Sequence, residues 1–128
     1  MDKNTEGLDY LTWDMFDSPD QDGSGYKYME KEPVVILDRV IHKTKLLAEI
    51  EVGYTSPEYA RALDLEEDNS HRIGKGIRFK CIYKKSRLLF VKELMNLGVQ
   101  RIQLSDRSIY FDTDNSFKPP VLEIVRKF

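Results

Sequence analysis

The chain has 128 residues, 33% of them charged, and a net charge of only −2, so it is the size of one domain and has no global field favouring nucleic acid or a membrane surface. One cysteine, Cys81, excludes an internal disulfide framework and a cysteine-based zinc cluster, and two histidines, His42 and His71, leave little material for a metal site. No apolar run approaches the ~20 residues of a membrane span, and "MDKNTEGLDY" lacks the basic and apolar regions of a secretory signal, so a soluble cytoplasmic protein is expected.

No repeat or low-complexity block divides the chain, which reads as a single domain, 1–128, with an N-terminal arm (1–29) and a body (30–128). The arm is turn-rich: "FDSPDQDGSG" holds aspartates, a proline and two glycines, and Trp13 and Phe16 are placed to anchor it. An EF-hand register from Ser18 suits Asp20, Asp22 and Gly23 but puts Met29 where the closing glutamate belongs, so a plain turn-rich arm is preferred. From Glu32 to Ala48, the residues Val34, Leu37, Val40, Ile41, Leu47 and Ala48 share one helical face, with His42 on the polar side. Ile50 and Val52 mark a strand ended by Gly53. "SPEYARAL" is a helix start, with Ser56 as N-cap, Pro57 in the first position and Glu58 behind it.

After the polar loop "DLEEDNSHRIGKG" comes the strand "IRFKCIY", with Ile77, Phe79, Cys81 and Tyr83 on one face and Arg78, Lys80 and Ile82 on the other. Gly74 and Gly76 allow the tight approach into it. A second long helix covers 86–97, with Leu88, Val91, Leu94 and Met95 inward and Gly98 as its stop. "VQRIQL" and "SIYFDT" are short strands around the turn "SDR", and Pro119 and Pro120 lead into a last strand, "VLEIV". These elements predict an α+β domain: a small antiparallel sheet packed with two longer helices. Cys81 reads as an inert small hydrophobe, while "YKKSR" at 83–87 and the pair Arg126 and Lys127 read as solvated surface.

Four segments in order carry a family resemblance. They are "FDSPDQDGSGYKYM" at 16–29, "VGYTSPEY" at 52–59, "SHRIGKGIRF" at 70–79 and "RIQLSDRSIYFDTD" at 101–114. They resemble the arm, the S-G-Y-R-T-P-E-H segment, the S-H-x-x-G-x-A-x-D-I segment and the closing I-H-V-D strand of the zinc D-alanyl-D-alanine carboxypeptidases and endopeptidases. These are the family-fifteen metallopeptidases with a Hedgehog/DD-peptidase-like fold, and the likeness is to short phage-type members above all. The resemblance implies that fold, and a zinc held by the first histidine, the aspartate seven residues on and the closing histidine.

Carried onto this chain, the three ligand positions are His71, Arg78 and Tyr110, and the arginine that contacts substrate in the family becomes Thr55. Asp106 is the nearest candidate for the family's catalytic carboxylate, with Arg107 the alternative occupant. A catalytic zinc needs three protein ligands; a guanidinium cannot coordinate, and a phenol would have to lose a proton of pKa about 10. Arg78 aimed at a dication ~4 Å away would oppose it by roughly 8 kcal/mol at an effective dielectric near 20.

The expected molecule is therefore a non-catalytic relative with no cofactor, a binding or structural module whose degenerate cleft holds Thr55, His71, Arg78, Asp106, Tyr110 and Asp112. Within it His71 reads as a hydrogen-bonded structural histidine, and Arg78 is expected to pair with Asp112 or, second, Asp106. Two alternatives stay open: a zinc-dependent cell-wall peptidase using His71 with Asp106 or Asp112, and a phage-derived structural protein that would oligomerise. A peptide, a peptidoglycan fragment or a protein are the partner classes left; nucleic acid and membrane are not expected.

Overall fold

Five short segments pair into one sheet among the described residues. The computed structural model describes residues 3–63, 71, 73–114 and 121–124. Its strands are β1 (Glu49–Val52), β2 (Gly76–Lys80), β3 (Arg101–Leu104), β4 (Ser108–Asp112) and β5 (Val121–Ile124), in the spatial order β1-β2-β4-β3-β5. The first four neighbours pair antiparallel. β5 runs parallel to β3, a departure from the purely antiparallel sheet expected from hairpin-like spacing. Among the described residues four α-helices complete an α+β fold: α1 (Ser24–Tyr28), α2 (Lys31–Thr44), α3 (Pro57–Ala62) and α4 (Lys84–Asn96).

The period of two sorts β1, β2, β3 and β4 into a core side and a polar side. Ile77, Phe79, Ile109, Phe111 and Ile102 are buried against Leu37, Val40 and Ile41 of α2 and Phe90 and Leu94 of α4, where the Phe79 and Phe90 rings lie 5.0 Å apart. Each such side chain contributes about 1.5–3 kcal/mol on burial. On the other side Arg78, Ser108, Tyr110, Asp112, Arg101 and Gln103 line up.

Both long helices differ in detail from the sequence reading. α2 stops at Thr44 because Lys45 turns left-handed (φ 60°) and its N–H closes on the Ile41 carbonyl; Leu47 is consequently exposed. In α4 the inward residues are Phe90 and Leu94, with Val91 partly buried, whereas Leu88 and Met95 face water. Apolar residues surround this helix, and the largest ring takes the interior. Tyr83 is exposed at the N-cap of α4 and not on the core side of β2, which ends at Lys80. Arg87 is not simply solvated: its guanidinium donates to the carbonyls of Cys81 (2.7 Å) and Ser105.

The arm folds into the same core. Leu8, Leu11, Trp13, Phe16 and Met29 belong to one cluster with the sheet and α2. Asp38 of α2 is the tether: its carboxylate accepts N–H bonds from Asp9, Tyr10 and Leu11, each 2.9 Å. Gly53 matters by close approach, since a Cβ there would sit 2.6 Å from the Phe16 Cα. The aspartates of "SPDQDG" are occupied locally. Asp17 accepts from the Gly23 and Gly25 N–H groups, and Asp20 from the Ser18 and Ser56 hydroxyls, in keeping with a turn-rich arm. Ser56 also caps α3, accepting the Tyr59 N–H at 3.0 Å. The loop 64–70, Pro119, Pro120, Arg126 and Lys127 lie outside the described residues.

Candidate functional site

The polar side of the sheet brings His71, Arg78, Tyr110, Asp112 and Thr55 to one region. β2 and β4 pair so that Arg78 and Tyr110 are Cα partners. His71 precedes β2, and its ring meets the Tyr110 ring edge-on with centroids 5.3 Å apart. Gly74, with φ 72°, shapes the turn between them; a Cβ there would lie 2.3 Å from the Tyr28 carbonyl oxygen. Thr55 is buried, and its N–H donates to the His71 carbonyl at 3.1 Å. Asp106 is not part of the group: it is exposed in the β3–β4 turn, four residues before Tyr110.

His71 Nδ1 lies 2.9 Å from the Gly53 carbonyl oxygen and 3.1 Å from that of Gly76. Both are acceptors, so Nδ1 carries the proton and Nε2 is the acceptor nitrogen. Burial lowers the imidazole pKa to about 4; the two carbonyls work against this, and the nearby Arg78 charge adds to it. His71 is thus a neutral, hydrogen-bonded residue that ties the turn after β1 to β2.

Arg78 does not take Asp112 or Asp106 as its carboxylate. Its Nε lies 3.3 Å from Glu51 Oε1, on β1. The same Glu51 oxygen accepts the Ser108 hydroxyl, so one carboxylate on the edge strand reaches across β2 to β4. Asp112 is held elsewhere: Oδ2 accepts from the Tyr110 hydroxyl at 2.6 Å and from Arg101 at 3.0 Å. Burial raises the Asp112 carboxyl above the ordinary range, with the Tyr110 hydrogen bond and the Arg101 charge opposing. Beyond Arg101 and Asp112 an open hollow of about 30 Å³, also lined by Glu32, Gly98 and Asp114, has room for water.

These residues do not fit a catalytic zinc. Of the three positions the resemblance assigns to ligands, one is a neutral imidazole, one is a guanidinium that cannot coordinate, and one is a phenol whose proton is donated to Asp112. Among the described residues no group of three or more His, Cys, Asp or Glu side chains could hold a metal ion. Cys81 is buried, and burial raises its thiol pKa, which is the opposite of nucleophile activation.

No family model, curated protein or solved structure matches the chain. No helix among the described residues is long and apolar enough to cross a membrane.

Glu51 and Arg101 escaped the sequence reading. Their signal was there in the alternation of "EIEV" and "RIQL", which puts both on the Arg78 and Tyr110 side once the strand partners are known.

Proposed function

We propose that this protein is a non-catalytic relative of the zinc D-alanyl-D-alanine peptidases, a binding or structural module that reuses their cleft. The observation that carries this reading is the adjacency of His71, Arg78 and Tyr110: the three positions the resemblance assigns to metal ligands are neighbours here, yet only one has ligand chemistry. In this reading Arg78 supplies fixed positive charge where the family uses an ion, Glu51 holds it, and Asp112 orients Tyr110 as it would a ligand. Thr55, in place of the substrate-contacting arginine, serves the backbone bond to His71.

Tag-free protein supplied with zinc and a peptide ending in D-Ala-D-Ala tests the reading. No hydrolysis above the buffer rate is expected. Zinc-dependent hydrolysis that disappears in His71→Asn would establish a working peptidase instead.

A further inference from the structure

α4 leaves a basic and apolar face in water. Its one carboxylate, Glu93, is mostly covered and lies 3.9 Å from Lys43 of α2. From Ile82 to Leu97 the exposed side chains include Tyr83 (77% exposed), Leu88 (70%) and Met95 (54%) interleaved with Lys84, Lys85 and Lys92, with no exposed carboxylate among them. Lys84, Leu88, Lys92 and Met95 follow a spacing of four, four and three residues, so they form one stripe along the helix. Scattered exposed apolar residues need no explanation; here large apolar side chains alternate with lysines along one line of the helix, with no exposed carboxylate beside them.

The complement is on the same chain. Residues 3–23 carry six carboxylates against one lysine. Of these Glu6, Asp9, Asp14, Asp20 and Asp22 are exposed, as are Met15 and Tyr10, the latter packed on His42 with Lys45 over its ring. Hydrogen bonding keeps the charge in place: the Thr12 hydroxyl lowers the pKa of Asp14, and the Ser18 and Ser56 hydroxyls lower that of Asp20. The arm is tied to β1 and to Asp38 of α2, whereas α4 packs on α2 through its own inner side.

We propose that the basic, apolar face of α4 docks on the acidic N-terminal arm of a second copy of this chain. Lysines 84, 85 and 92 meet the arm's carboxylates while Leu88 and Met95 cover Tyr10 and Met15. The contact joins two different surfaces, so it either closes reciprocally as a two-fold dimer or continues head to tail as a ring or filament. It stands apart from the reading of the cleft and uses none of its residues.

Sedimentation velocity on the 128-residue protein over a concentration series tests it. In low salt the average mass should rise with concentration, and high salt should weaken the association by about tenfold or more. Two charge variants, K85E/K92E and D9K/D22K, should each lose the association, because the first reverses the helix face and the second removes most of the arm's net negative charge. Mixed in equal amounts they should associate again, since each now complements the other. A monomer at every concentration in low salt, or two variants that remain apart when mixed, overturns the proposal. Binding of a monomeric wild type to phosphatidylserine vesicles would overturn it too, by assigning the face to an anionic membrane.

Discussion

Arg78 and Tyr110 face each other across the β2–β4 ladder, and each is held by a different carboxylate. Glu51 takes Arg78, with the two side chains 30% and 32% exposed, and Asp112 takes Tyr110 and Arg101 in a fully buried position. The two halves of the cleft should therefore differ sharply in what they contribute to stability.

Arg78→Ala breaks a half-exposed pair and should cost about 1 kcal/mol or less. Asp112→Ala takes a fully buried carboxylate away from the buried Tyr110 phenol and the partly exposed Arg101 guanidinium and should cost about 2–3 kcal/mol. Urea midpoints at a common slope measure both. Equal losses would mean that the burial of the two carboxylates has been misjudged.

Asp38→Ala removes the acceptor of three arm N–H groups, one of them on buried Leu11. The arm should loosen while the sheet holds. Amide exchange should accelerate for Asp9, Tyr10 and Leu11 by at least tenfold, and much less for β2 and β4. Uniform acceleration across all three regions would show that the arm and sheet open as one unit.

His71 gives a signed pH dependence. Its folded pKa of about 4 lies below the ordinary value of 6.5, so the folded state resists taking up the proton. Stability from this residue is complete above pH 6.5, declines as pH falls toward 4, and is constant below that. The loss amounts to about 2–3 kcal/mol, allowing for the ring's residual contact with solvent. Asp112 titrates in the opposite sense, because its raised pKa favours the folded state at low pH. The His71 contribution is therefore read as the difference between wild type and His71→Asn, whose side-chain amide can still donate to the Gly53 and Gly76 carbonyls. Parallel profiles from pH 4 to 7 would contradict the assignment.

Local chemistry made much of this fold legible. Ser56, Pro57 and Glu58 announce α3, and alternation marks β2, β3 and β4 as strands and puts Arg78 on the polar face of β2. Packing made the rest illegible. Leu88, Leu89, Phe90, Val91, Leu94 and Met95 surround α4, so periodicity alone selects no face, and the core admits Phe90 because Phe79 offers it a ring to meet. Glu51 becomes the partner of Arg78 only through the pairing of β1 with β2, whose register shifts between Ile50 and Val52. Asp38 looks like an ordinary helical carboxylate until an arm 27 to 29 residues earlier folds onto it.

In the proposed reading Arg78 and Tyr110 stand where the zinc peptidases have ligands, and zinc stoichiometry after dialysis decides it, with wild type measured beside Arg78→Asp/Tyr110→His. The double variant places a carboxylate and an imidazole opposite each other on β2 and β4, next to His71, with Asp112 in place to orient the new ring. Wild type should retain no stoichiometric zinc, and the double variant should retain about one equivalent and melt at a higher temperature when zinc is present. One equivalent in wild type, or a folded double variant that retains none, would contradict the claim that Arg78 and Tyr110 occupy the places of the ligands.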